Sequence, residues 1–143
     1  MNTAEQLTQI FRDNFVAYFR SHVAHVNITG RNFRSDHKLL GGIYERRQAE
    51  IDKIGEILRT MDEYMPCDLS EVIGDSHIDT GELAGDADFL LEMVQLDLEH
   101  LLDEYKELQI ISGEEGFSEI QNYAQDQILD IEKSLWMLRS TLG

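Results

Sequence analysis

An all-α fold, four long helices around one core with a long crossover between the second and third, is predicted by three features of this 143-residue chain. Apolar residues recur at three- and four-residue steps in four separate stretches, the signature of amphipathic helices. A single proline, Pro66, interrupts a composition rich in helix formers. No run of alternating apolar and polar residues points to a strand. The length suits one domain spanning residues 1–143, large enough to bury a substantial core.

The first helix is expected to start at Thr3, whose spacing to Gln6 is that of a capping box. Leu7, Ile10, Phe11, Phe15, Tyr18, Phe19 and Val23 carry its apolar stripe to about Asn27, ahead of the turn residues Thr29 and Gly30. His22 and His25 continue the spacing from Tyr18 and so point along the buried side. The second helix, capped by Asn32 or Ser35, is expected to reach Met65 and stop at Pro66, since the residue before a proline avoids helical backbone. Its apolar stripe is Leu40, Ile43, Ile51, Ile54, Leu58, Met61 and Met65. At about 100° per residue, His37, Gly41, Glu45, Gln48, Asp52 and Glu56 form a second, polar stripe beside it. A helix with two such faces needs two partners.

Residues 66–85 read as the crossover, with a short helix over Asp68–Ile73 and glycines at 74, 81 and 85. The third helix begins near Asp86, carries two columns, Phe89, Met93, Leu96 and His100 in one and Leu90, Val94, Leu101 and Leu108 in the other, and ends between Gly113 and Gly116. Ser118 and Gln121 repeat the capping-box spacing, and the fourth helix turns Ile120, Tyr123, Ile131, Leu135 and Leu138 inward. Trp136 reads as core packing, because an indole supplies a large apolar area.

The charge balance is 12 Lys plus Arg against 28 Asp plus Glu, a net of −16. Such a surface repels nucleic-acid phosphates and attracts cations. The lone Cys67 excludes an intrachain disulfide and fits a reducing compartment. Residues 1–9 show no signal-peptide pattern, and no apolar run approaches the roughly 20 residues of a membrane span. A soluble, cytoplasmic protein is expected.

His25, His37, Asp52 and Glu56 are residue types that ligate metals, yet one chain cannot close a site from all four. On a continuous helix His37 and Asp52 lie roughly 22 Å apart at about 1.5 Å per residue. Ligands of one ion each approach it to about 2.0–2.2 Å. Two copies of the helix packed antiparallel about a two-fold axis would place His37 of one beside Asp52 of the other. The crossing falls near Tyr44, just past Gly41 and Gly42, where missing side chains permit close approach. Asp97 and His100 make a lone carboxylate-x-x-His spacing with no second copy, so His100 reads as a core histidine.

His25-Val-Asn-Ile-Thr-Gly30, His37 twelve residues on, then Asp52 and Glu56, resembles the di-iron motif of the Dps family, the mini-ferritins. Glu132-Lys-Ser-Leu-Trp-Met-Leu-Arg139 resembles the same family's final-helix signature, and the likeness runs in register along nearly the whole chain. The resemblance implies a ferritin-like bundle that assembles into a hollow homododecamer, oxidises Fe(II) with hydrogen peroxide or oxygen, and stores ferric mineral. It further implies that His25 holds one iron together with Asp52 and the bridging Glu56 of the partner subunit, and that His37 holds the second. Two positions depart from the family pattern: Gly41 stands where a second-iron aspartate is usual, and Val26 where a tryptophan borders the first histidine. The alternative implied by Gly41 is a metal-binding cage with an impaired oxidation centre. The resemblance also places Glu114, Glu115 and Glu119 at an acidic three-fold pore. With only four lysines, the chain offers little support for the direct DNA binding that some family members show.

Overall fold

The computed structural model describes residues 1–143 and contains five helices and no strand. They are α1 (Thr3–Asn27), α2 (Phe33–Thr60), α3 (Leu69–Gly74), α4 (Ala87–Glu114) and α5 (Ser118–Leu142). The four long helices form a bundle, α1 against α2 and α4, and α4 against α5, while the short α3 rides on α1 within the crossover. Leu7, Ile10, Leu40, Ile54, Leu58, Leu101, Leu108 and Leu138 are wholly buried. Each such side chain contributes about 1.5–3 kcal/mol relative to exposure. No helix is long and apolar enough to cross a membrane.

Element ends correct the sequence expectation in three places. Asn2, not Thr3, caps α1, its side chain accepting from the Glu5 amide. Thr3 is instead turned toward the far end of α4: its amide donates to Glu115 Oε1 at 2.7 Å, and its hydroxyl bonds the same oxygen. The Ser118–Gln121 capping box is likewise not formed, since Phe117 occupies the cap position without a side-chain bond and Gln121 donates to the Gln109 carbonyl. Finally, α2 stops at Thr60 rather than Met65. Asp62 takes a left-handed backbone, φ 63°, and the amides of Asp62 and Glu63 close onto the carbonyls of Arg59 and Leu58. This is the Schellman pattern normally built with glycine. Gly116 builds the same closure at the end of α4, with Gly116 and Phe117 donating to Gly113 and Ser112.

Polar groups inside the bundle fix which helix faces which. Arg47, 1 % exposed, spans α1, α2 and α5 through Asn14, Gln127 and Asp130. Tyr123 donates to Glu50 Oε2 at 2.5 Å, and Arg20 of α1 pairs with Asp97 of α4 at 2.6 Å. Buried charges are tolerated only when paired in this way. Trp136 departs from expectation: it is 57 % exposed on this chain and adds little to its core.

Candidate metal centre

The turn between α1 and α2 brings two histidines twelve residues apart face to face. The His25 and His37 rings stack with centroids 3.8 Å apart and planes 16° off parallel. Each ring donates Nδ1–H to the other residue's backbone carbonyl, His25 to His37 O at 2.6 Å and His37 to His25 O at 2.7 Å. This reciprocal pairing fixes both tautomers and leaves both Nε2 atoms as acceptors, the arrangement that presents imidazole to a metal. Phe33 stacks on the outer face of the pair, 5.1 Å from His37. On the other side His22 lies parallel to Tyr44 at 4.0 Å and meets the Tyr18 hydroxyl at 3.2 Å. Both ligand-type histidines are half-buried, as the α1 stripe requires.

Asp52 and Glu56, one turn apart on α2, are exposed. A hydrogen bond from Asp52, and then its charge, raise the Glu56 carboxyl above its ordinary value. Two carboxylates so crowded share a proton or a cation. Since α2 is one unbroken helix, Asp52 lies roughly 22 Å and Glu56 roughly 28 Å along it from His37. Within one chain the histidines are brought together and the carboxylates are brought together, but the two pairs are not.

Gly41, expected beside the crossing of two copies, also has a role within the chain. A Cβ at this position would stand 3.0 Å from His25 Cε1 and 3.2 Å from Nδ1, so the glycine is the floor under the chain's own His25 ring. Gly42, by contrast, faces open space, with nothing near its Cβ position. Val26, where a tryptophan was the expectation from the resemblance, is 61 % exposed.

A second group of ligand-type side chains was not legible in the sequence. Asp13 of α1, His77 of the crossover, and His100 and Glu104 of α4 gather so that one ligand atom from each lies within 4.8 Å of the others. His100 is thus not a core histidine packed among apolar residues; its Nε2 meets Asp13 Oδ2 at 3.2 Å. Burial acts to raise the wholly enclosed Asp13 carboxyl, but hydrogen bonds from Glu104, Ser76 and His77 hold it below its usual range. Burial, and then Asp13, push Glu104 up to about 10. The one signal available in the sequence was the four-residue step from His100 to Glu104, which puts both on one helix face.

The three acids at the α4–α5 junction, Glu114, Glu115 and Glu119, are all exposed, and Glu115 is also engaged by Thr3. The Thr3 bonds hold its carboxyl below the usual range. Cys67 is exposed and free.

Comparison with known proteins shows the family and the fold that carry these groups. A family model described as a ferritin-like domain matches residues 4–143. The DNA protection during starvation protein of Helicobacter pylori is 31 % identical over 145 residues, covering all of both chains. The crystal structure of Helicobacter cinaedi CAIP superposes with a TM-score of 0.92 at 26 % identity, covering 99 % of this chain and all of that one. The Dps protein of Vibrio cholerae O1, described as a member of a broad superfamily of ferritin-like diiron-carboxylate proteins, has the same fold, with a TM-score of 0.93 at 23 % identity over 99 % of this chain and 89 % of that one.

Proposed function

Because this chain belongs to the Dps family of ferritin-like proteins, we propose that it is a cytoplasmic mini-ferritin that oxidises Fe(II) at an intersubunit site and deposits ferric mineral inside a homododecamer. The observation that carries the reading is the His25–His37 pair, whose Nδ1 atoms are both committed to backbone carbonyls and whose Nε2 atoms are both free. Imidazole nitrogen together with carboxylate oxygen suits Fe(II) as substrate, and the carboxylates favour the ferric product. The carboxylates come from the partner's Asp52 and the partner's Glu56, with α2 packed antiparallel on its copy about a two-fold axis. A two-fold interface is isologous, so each dimer builds two such sites.

In that site His25, Asp52 and Glu56 hold one ferrous ion, Glu56 reaches the second, and His37 completes it. Each ion yields one electron, so one hydrogen peroxide takes two electrons and two protons and leaves as two waters. The same reaction removes peroxide and ferrous iron together, which protects against oxidative damage. The net charge of −16 draws Fe(II) toward the shell.

Subunit complementation tests the shared site. A variant lacking both histidines (His25→Ala with His37→Ala) and one lacking both carboxylates (Asp52→Asn with Glu56→Gln) should each be inactive alone. Random co-assembly puts half of the dimers in the mixed form with one intact site of two, so about a quarter of wild-type activity returns. Activity in either parent, or none in the mixture, defeats the intersubunit reading. A wild-type protein that binds iron but oxidises it no faster than free solution would instead indicate the impaired cage.

A further inference from the structure

We propose that Asp13, His77, His100 and Glu104 form a second metal site, contained within one chain, that takes a divalent first-row transition ion and binds the crossover to the bundle. Three elements converge there: α1 supplies Asp13, the crossover His77, and α4 both His100 and Glu104. The four ligand atoms lie within 4.8 Å of one another. Two ligands on opposite sides of one ion stand up to about 4.4 Å apart at roughly 2.2 Å each, so closure requires a contraction of only a few tenths of an ångström.

The donors are already aimed. Asp13 Oδ1 accepts from the Ser76 hydroxyl at 2.7 Å and from the His77 amide at 2.6 Å. That leaves Oδ2 facing His100 Nε2 at 3.2 Å and His77 Nδ1 at 3.8 Å, with the Gln9 side chain at 3.2 Å. Orienting bonds of this kind on a carboxylate are what a ligand's outer contacts supply. Glu104 Oε1 completes the group, 3.4 Å from His100 Nε2. This oxygen is sealed from solvent and, apart from the carboxyl–carboxylate contact with Asp13, has no hydrogen-bond partner. Two carboxyl groups held against each other need a proton or a cation between them, and a divalent ion serves both at once.

Two imidazoles and two carboxylates, with no thiolate, select ions such as Zn(II), Co(II), Mn(II) or Fe(II) over Cu(I). The site shares no residue with the His25–His37 pair and requires no second copy. A cluster that merely pins the crossover through its own hydrogen bonds would be indifferent to metal.

The test uses Zn(II) on the full-length assembled protein, first stripped with a chelator. Crystals soaked in Zn(II) should show an anomalous peak bonded to Asp13 Oδ2 and His100 Nε2, besides any at His25 and His37. His77→Ala removes a side chain that is 61 % exposed, and Glu104→Gln keeps the shape while losing the charge. Each should abolish that peak and weaken this class of sites at least about tenfold in a Zn(II) titration, with the peak at the histidine pair unchanged. No peak at the cluster when the histidine pair is filled overturns the proposal, as does an unchanged stoichiometry and affinity in both variants. Either result leaves the intersubunit oxidation site untouched.

Discussion

His25 and His37 each donate Nδ1–H to the other's main-chain carbonyl, at 2.6 and 2.7 Å, so neither ring is positioned independently. Removing one imidazole frees the carbonyl that orients the other. His25→Ala and His37→Ala should therefore each cost at least about tenfold in the rate of Fe(II) oxidation, and the double variant little more than either. A double-mutant cycle on initial rates measures this; additive losses would show two independently held histidines.

Gly41 is expected to tolerate no side chain. With a Cβ 3.0 Å from His25 Cε1, Gly41→Ala should displace the ring by a few tenths of an ångström and disturb its stack against His37. In an ordinary helix interior the same change stabilises by about 0.5–1 kcal/mol. Here it should weaken Fe(II) binding and slow oxidation, and Gly41→Asp should do so more severely rather than restore a ligand. A titration showing tighter iron binding in Gly41→Asp would reverse this reading.

Arg20 and Asp97 form a buried pair across α1 and α4, 5 % and 7 % exposed as residues. Asp97→Ala leaves a guanidinium charged and enclosed, at a cost of about 3–5 kcal/mol. Denaturant unfolding at fixed protein concentration should show the loss, and replacing both partners with apolar residues should recover most of it.

The tie between Thr3 and Glu115 should make the start of α1 sensitive to acid. The carboxyl lies below its ordinary value of 4.5 because it accepts from the Thr3 hydroxyl and amide. A depressed carboxyl contributes its stability above the unfolded value and loses it as pH falls through the folded one. Protection of the Thr3 amide against hydrogen exchange should hold near neutral pH and be lost only as pH falls below the ordinary carboxyl value of 4.5, through the lowered folded-state value. Glu115→Gln should show reduced protection at every pH.

Duplex DNA should not be retained at about 150 mM salt, where weak phosphate contacts are largely screened. A net charge of −16 per chain opposes the approach. A gel shift without added divalent metal checks this; with metal present, bridging by the cation is a separate matter.

Helix existence and inward faces were legible in the sequence because they depend on neighbours three and four residues apart. The column Leu90, Val94, Leu101 and Leu108 needed no tertiary information. Phe19, Phe89 and Leu96, read onto apolar stripes by the same spacing, are exposed on this chain, because spacing marks an apolar face without deciding what covers it. Gly116 announced the end of α4, since glycine reaches a left-handed backbone without strain. Asp62 does the same for α2 without announcing it, and only the packed turn decides that an aspartate adopts φ 63° there. The histidines at 25 and 37 could be picked out by residue type, but their mutual hydrogen bonds depend on the angle at which α1 meets α2. Gly41, read as a point of close approach between copies, also seats His25, a contact set by packing within the chain. Asp13, His77 and His100 are separated by 64 and 23 positions, and no local period connects them. Their meeting was decided only when the crossover folded back across α1 and α4, because side chains distant in sequence come into reach only through the packing of the elements that carry them.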